Sequence, residues 1–330
     1  MQDDTGTMSD LRLAVSLNGY GLSSHGRRTV LPWRDLRQIV ETAEETGYEM
    51  VFTPEIGARE AFSTLTAIAG VTSRIGLASG VVPLGSRDLR RMAMEAATLQ
   101  DLSGGRAILG LGSREPVADT REAIAAIRAL ARGEAAAGFA PLDLVPERLP
   151  VYLAALGPRM TELAGEVADG VVLNWCAPER VARAREEVAA GAARSGRDPA
   201  AVTICVYVRC VLGMGEGHAL EALREATGEY AAMPRYRRQL ETLGLGDEAE
   251  VAAKAWGAGR PDEVPEELVR SVCVLGGRDE GRAGLAAYRD AGADLVVVYP
   301  VPAVDAVSSI VGTMLAAAPG PSAPHRPRSG

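Results

Sequence analysis

Short, continuously apolar runs alternate with amphipathic helical patterns along almost the whole chain, and this alternation restricts the fold more than any other feature. The strand-like runs stand at 11–17, 50–53, 75–82, 107–112, 150–155, 170–174, 202–208 and 295–299. A helical pattern follows nearly every run. Because the runs are apolar at every position rather than at alternate ones, both faces of the sheet are covered, which is typical of parallel strands.

Eight strands, each with a helix after it, favour an α/β fold of the (β/α)8 TIM barrel class in a chain of 330 residues. A doubly wound parallel sheet is the alternative. It would require a glycine-rich fingerprint that opens a helix after the first strand, and the sequence at 18–21 does not open one. We therefore predict a single barrel domain over 11–317, with a helical insertion at 213–270 between the last two barrel strands. Residues 1–10 and 318–330 are predicted to be disordered tails.

The charge and the rare residue types exclude several classes of function. The chain has 43 acidic residues against 35 basic ones and no basic block, which argues against nucleic acids and anionic membranes as partners. Four cysteines without CxxC spacing and three histidines do not favour a metal site. The N-terminal segment lacks the apolar stretch that is typical of a signal peptide, and no apolar run is long enough to span a bilayer. We expect a cytoplasmic protein that acts on a small-molecule substrate.

In a barrel of this class the site is built from the loops that follow the carboxyl ends of the strands. Glu55 follows the second strand directly after Pro54, and Glu115 lies in the loop after the fourth strand. Both are candidates for acid and base chemistry, and if both point inward their like charges would raise the pKa of one of them. For Glu55, a carboxylate that caps its own loop is the alternative. His25, after the first strand, is a weaker candidate for catalysis.

Other strand ends carry features of a binding site. Gly80, inside the third strand, indicates a bulge or a close approach of the backbone to another group. Gly112, at the end of the fourth strand, allows a flat ligand to lie against the backbone. Gly157 and Pro158 open a helix next to Arg159, which favours an anion site, although an ordinary helix start with an exposed arginine is the alternative.

Two stretches of the chain resemble a known family. The sequence from Gly105 to Ser113 resembles the GR-apolar-LGLG fourth strand of the bacterial luciferase-like superfamily. The stretch at 151–174 is similar to the branch that contains methylenetetrahydromethanopterin reductase, and shorter matches stand at 75–83 and 288–294.

The resemblance implies a (β/α)8 barrel that binds coenzyme F420, or FMN in other branches. It implies a cis peptide bond between Gly80 and Val81, and it places the cofactor phosphate on the loop of Gly157, Pro158 and Arg159. Glu115 stands where a sugar-phosphate dehydrogenase branch has its catalytic glutamate, but Glu55 stands where that branch has a histidine, which argues against that substrate. The residues predicted to bind the cofactor are Ser79, Gly80, Val81, Gly112, Ser113, Ala154, Ala155, Leu156, Gly157, Pro158, Arg159 and Asn174.

We therefore predict an oxidoreductase that transfers a hydride between coenzyme F420 and a small organic substrate with a C=N or activated C=C centre. Glu115 and Glu55 would move the proton. An FMN-dependent monooxygenase is one alternative. A non-catalytic flavin-binding protein is another, favoured by the short segment at 133–150 between the fourth and fifth strands. The resemblance also implies a homodimer.

Overall fold

The computed structural model describes residues 11–17, 20–21 and 29–318. His25 lies outside the described residues, and so do the two predicted tails except for Ala318. In the part of the chain that is described, no helix is long and apolar enough to cross a bilayer.

Strands and helices alternate through the described residues. The strands are β1 (Leu13–Ser16), β2 (Tyr20–Gly21), β3 (Thr29–Val30), β4 (Met50–Thr53), β5 (Gly76–Ser79), β6 (Val82–Pro83), β7 (Ala107–Gly112), β8 (Val151–Ala154), β9 (Gly170–Asn174), β10 (Thr203–Leu212), β11 (Cys273–Gly276) and β12 (Leu295–Pro300). The α-helices are α1 (Trp33–Glu45), α2 (Ala61–Ala69), α3 (Leu89–Leu102), α4 (Val117–Ala131), α5 (Pro158–Val167), α6 (Pro178–Arg194), α7 (Glu216–Ala231), α8 (Pro234–Thr242), α9 (Gly246–Gly257), α10 (Glu266–Val272), α11 (Arg278–Asp290) and α12 (Ala306–Ala317).

Eight of these strands close into a parallel barrel. Their order around the ring is β1, β4, β5, β7, β8, β9, β10 and β12, and β12 pairs again with β1. The helices cover the outside of the ring, which buries both faces of each strand, as the continuously apolar runs require. The predicted (β/α)8 barrel is confirmed. The doubly wound alternative is wrong, because such a sheet is open and this ring has no edge.

The largest differences from the predicted strand bounds are at the third and seventh strands. The third predicted strand forms β5 and β6, which are separated by Gly80 and Val81, and the peptide bond between these two residues is cis, as the resemblance implies. The seventh predicted strand, β10, continues to Leu212 because its last four residues pair with β11.

The segment between β10 and β12 contains α7, α8, α9 and α10, followed by β11 and α11. β10 pairs with β9 over its residues 203–207 and with β11 over residues 209–212, while β12 occupies its other edge. β11 therefore extends the barrel wall beyond the point where β9 ends. Helices α7 to α10 share a second apolar core, which includes Leu223, Leu240 and Leu268 together with Trp175 from the end of β9. This packing places the helical segment beside the carboxyl ends of β9 and β10.

Acidic residues join neighbouring strands at the amino end of the barrel. Asp169, before β9, accepts hydrogen bonds from the backbone N–H of Val151 (2.8 Å) and from Arg128 (2.6 Å). Asp294, before β12, accepts from the backbone N–H of Ile204 (2.7 Å) and pairs with Arg185. Each carboxylate thus links its own strand to a neighbour. Both acids therefore have structural roles at this end of the barrel.

Candidate active site

At the carboxyl end of the barrel, the strands on one side carry small apolar residues and the strands on the other side carry large polar ones. We call these the small side and the large side of the mouth. Side chains that point into the barrel, such as those of Ala78 and Val172, are buried. Because every second residue of a strand faces the same side, the inward residue that follows each of them lies at the mouth of the barrel. On β7 and β8 these positions are Gly112 and Ala154, both half-buried. On β9, β10 and β12 they are Asn174, Arg209 and Tyr299. The smaller residues at the mouth are therefore those of β7 and β8.

The cis peptide bond of Gly80 and Val81 completes the small side. The backbone N–H of Gly80 donates to the carbonyl of Thr53 (2.8 Å), and the Tyr207 hydroxyl donates to the carbonyl of Gly80 (3.2 Å). A Cβ on Gly80 would lie 2.1 Å from the Tyr207 hydroxyl oxygen, so no larger residue fits without a shift. Val81 is half-buried and stands over Gly112, where a Cβ would lie 2.6 Å from Val81 Cγ2. We call Val81, Gly112, Ala154 and Leu156 the mouth floor.

The hydroxyl of Ser79 joins two strands instead of facing the mouth. Ser79 is fully buried; its Oγ donates to the carbonyl of Gly110 (2.9 Å) and accepts from the Gly110 N–H (2.8 Å). The predicted cofactor contact of Ser79 cannot be made through this hydroxyl. Ser113 is likewise engaged, since its Oγ accepts the N–H of Glu115 (3.0 Å) and lies 2.7 Å from the Thr120 hydroxyl.

The two predicted acid–base residues are in different environments. Glu55 Oε1 pairs with Arg87 (2.7 Å), and Glu55 Oε2 accepts the N–H of Ala61 at the start of α2 (3.1 Å). Glu115 is exposed in the loop between β7 and α4. Among the described residues the two carboxylates share no partner. The contacts of Glu55 are those of the loop-capping alternative.

Arg87 is shared by three carboxylates. Besides Glu55, it lies 3.2 Å from Glu95 and 3.9 Å from Glu60, and its guanidinium stands over the ring of Phe62. Burial raises the pKa of the Glu95 carboxyl, although the charge of Arg87 opposes this. This network holds the loop after β4 against α3.

The large side of the mouth is centred on Arg209. Its guanidinium carbon lies 4.5 Å from the ring centre of Trp175, 5.1 Å from that of Tyr230 and 4.1 Å from that of Tyr299. Arg209 is 2% exposed and donates to Asn174 Oδ1. Among the described residues no carboxylate pairs with it, so a buried cation is held by rings and one amide.

The amide of Asn174 is already engaged by the protein. Its Nδ2 donates to the hydroxyl oxygen of Tyr236 (2.9 Å), and Gln239 donates to the carbonyl oxygens of Asn174 and Trp175. Burial raises the pKa of the Tyr236 phenol above its ordinary value. These bonds tie α8 to the end of β9. A ligand of Asn174, as predicted, would have to compete with Arg209 and Tyr236.

A basic cleft begins at the end of the mouth floor. The cleft has a volume of about 380 Å³. Its lining residues are Leu156, Gly157, Pro158, Arg180, Arg183, Glu187, Arg235, Arg238, Gln239 and Thr242. The predicted anion site at the start of α5 thus lies in a larger basic cleft, to which Arg159 does not contribute, because it is exposed and not part of the lining.

Sequence reasoning missed Arg209 and the arginines of the cleft. One signal was available for Arg209, since it is the single charged residue in the strand Thr203–Leu212. Arg235 and Arg238 belong to the basic run 235–238, but nothing in the sequence indicates which strand end α8 approaches.

Comparison with known proteins is consistent with this geometry. Residues 14–295 match the family model described as luciferase-like monooxygenase. A 5,10-methylenetetrahydromethanopterin reductase of Methanolobus tindarius is 30% identical over 293 residues, covering 81% of this chain and 90% of the relative. A putative coenzyme F420-dependent oxidoreductase of Mycobacterium tuberculosis is 28% identical, with 81% of this chain and 91% of the relative covered.

Solved structures share the fold. A coenzyme F420-dependent tetrahydromethanopterin reductase from Methanopyrus kandleri superposes with a TM-score of 0.74 at 21% identity, covering 92% of this chain and 97% of the other. A monooxygenase from Streptomyces bottropensis superposes with a TM-score of 0.65 at 20% identity, covering 93% and 98%.

Proposed function

This chain belongs to the luciferase-like monooxygenase family, and from that premise we propose that it transfers a hydride between coenzyme F420 and a small organic substrate with a C=N or activated C=C centre. The observation that carries the proposal is the continuity of the mouth floor with the basic cleft. A flat apolar surface that leads into a cleft lined by arginines suits a flat redox group with an anionic tail. The name of the Mycobacterium tuberculosis relative supports F420 rather than FMN as that group.

The residues of the chain fit such a group. Bound F420 supplies the redox chemistry, giving or accepting the hydride, and the protein supplies position and electrostatics. Val81, Gly112 and Ala154 would hold one face of the ring. Burial holds the pKa of the Tyr207 hydroxyl well above its ordinary value, so Tyr207 remains a donor to Gly80 and keeps the backbone behind the ring in place.

The direct test is anaerobic oxidation of reduced F420 by the purified protein with a panel of imines and activated alkenes. Oxidation that depends on one of these substrates supports the proposal. Oxidation that requires oxygen, with oxygen consumed and product formed, would instead identify a monooxygenase. Binding of the cofactor without turnover of any substrate would identify a non-catalytic flavin-binding protein.

Glu115 is the proposed proton donor or acceptor, because it is exposed in a mouth loop and pairs with no cation among the described residues. We expect Glu115→Gln to lower turnover by about 100-fold, the lower range for loss of a general acid or base, and to leave cofactor affinity within about threefold. Stopped-flow turnover and fluorescence titration measure the two quantities. Glu122→Gln, an exposed position on α4, is the matched control and should change neither. Unchanged turnover of Glu115→Gln would remove Glu115 from the proposal.

A further inference from the structure

Arg209 is a buried cation that the described part of the chain leaves without a counter-charge. The residue is 2% exposed, and it pairs with no carboxylate among the described residues. A guanidinium has five N–H groups, and within the described ranges one of them has an acceptor, Asn174 Oδ1. A charge that is taken out of water needs other groups to replace its hydration. The remaining N–H groups are therefore donors that a ligand can use.

Three aromatic rings surround this cation but do not neutralise it. The guanidinium carbon stands over the rings of Trp175, Tyr230 and Tyr299, at distances between 4.1 and 5.1 Å from the ring centres. A ring face attracts a cation, and so does the oxygen of an amide, but neither carries the full negative charge of a counter-ion. We call Arg209, these three aromatic residues and Asn174 the arginine cage. The cage therefore attracts an anion.

Trp175 is held beside Arg209 in an unfavourable conformation. Its φ is 52°, in the left-handed region that a bulky residue rarely adopts. The residue is 2% exposed, and its indole Nε1 is buried without a hydrogen-bond partner in the described part of the chain. Strained backbone and buried donors without acceptors both oppose folding, and both are typical of binding sites. Trp175 Nε1 is thus a second donor without an acceptor in the cage.

The arginine cage lies across the mouth from the cis peptide bond. Tyr207, two residues before Arg209 on β10, crosses the barrel and donates to the carbonyl of Gly80 (3.2 Å). Because Arg209 faces the same side of the strand as Tyr207, it lies one layer nearer to solvent. Asn174 and Tyr299, which occupy the mouth positions on both neighbouring strands, are half-buried. The cage is therefore reached from the mouth.

We propose that the arginine cage binds a carboxylate of the substrate, and that Arg209 selects an anionic substrate. The proposal rests on the proposed function and narrows its substrate class to unsaturated carboxylates and imino acids, whose C=C or C=N bond is next to a carboxylate. The planar guanidinium presents paired N–H donors that match the two oxygens of a carboxylate. A carboxylate held by Arg209 would place the neighbouring double bond in the mouth, between Arg209 and Val81.

The test compares carboxylates with their amides, which have almost the same shape and no charge. The ligand pairs are acetate, crotonate and cinnamate, each with its own amide. Isothermal titration calorimetry measures the affinities on the cofactor-free protein and again in the presence of F420. We expect crotonate or cinnamate to bind about tenfold more tightly than its amide, which equals about 1.4 kcal/mol.

Two variants of Arg209 separate its charge from its shape. Arg209→Gln should bring each carboxylate within about threefold of its amide, whereas Arg209→Lys, which keeps the charge but not the planar fork, should keep part of the preference. The control is Arg132→Gln, which removes the same charge from an exposed arginine after α4 and should keep the whole preference. Thermal unfolding identifies the folded variants, and the ligand pairs test the native protein without any substitution.

Equal affinity of carboxylate and amide in every pair, measured on the native protein, would overturn the carboxylate site and leave the proposed function intact. A preference that survives in folded Arg209→Gln would overturn the role of Arg209. A preference for carboxylates in a protein that binds no F420 would overturn the proposed function, and with it the assignment of the anion as substrate.

Discussion

Gly110→Ala is expected to lower the free energy of unfolding by about 3 kcal/mol, the upper end for overpacking a well-packed core. A Cβ at this position would lie 2.0 Å from the backbone carbonyl oxygen of Ser79. A flexible side chain could turn away, but a strand backbone cannot, so β5 and β7 must separate. The Ser79 hydroxyl bridge to Gly110 would be strained by the same movement. Urea denaturation of the two proteins measures the difference.

Gly217→Ala is the matched control for this substitution. Gly217 lies in α7 and is exposed, and a Cβ there meets no atom within 4 Å. Stability should be unchanged or rise by at most about 1 kcal/mol, because alanine favours a helix. If Gly110→Ala were as stable as Gly217→Ala, the close packing of β5 on β7 would not exist in solution.

Arg106→Met is also expected to cost about 3 kcal/mol, because it leaves partly buried acceptors without a donor. The Arg106 side chain donates to the carbonyl of Ser103 (2.8 Å) and to four acceptors between the end of α2 and the start of β5. These four are Ala69 O, Thr72 O, Thr72 Oγ1 and Ile75 O. One guanidinium therefore ties the loop before β5 to the loop before β7, and methionine keeps its length without its donors.

Two further variants separate lost hydrogen bonds from lost charge. Arg106→Lys keeps the charge but concentrates its donors on one nitrogen, so we expect an intermediate loss of stability. Arg132→Met removes an exposed arginine that pairs with exposed Glu134, and it should cost less than about 0.5 kcal/mol. A loss at Arg106→Met no larger than at Arg132→Met would contradict the account of this residue.

Both large effects fall within the stretch 105–113 that resembles the family. The structure gives its residues mechanical roles: Arg106 holds two loops, and Gly110 lets two strands approach. A motif of this kind predicts the barrel well, because the packing of a barrel depends on contacts between adjacent strands and on the alternation of side chains along each strand. The acids Asp169 and Asp294 were predictable for the same reason, since their partners lie on adjacent strands.

The site was less predictable because its parts come from distant segments. The partner of Glu55 is Arg87, 32 residues away, and this ion pair gives Glu55 a capping role that strand position alone could not reveal. Asn174 donates a hydrogen bond to Tyr236, which is 62 residues away on helix α8. The spacing of residues within α8 does not indicate where this helix packs on the barrel. The homodimer and the cytoplasmic location stay predictions.

The central claim is that the mouth floor and basic cleft hold a deazaflavin, and parallel fluorescence titrations of the cofactor-free protein with F420 and FMN test it most directly. We expect F420 to bind with a dissociation constant of about 1 µM or lower, and FMN at least about tenfold more weakly. Tighter binding of FMN, or no binding of either, would contradict the account.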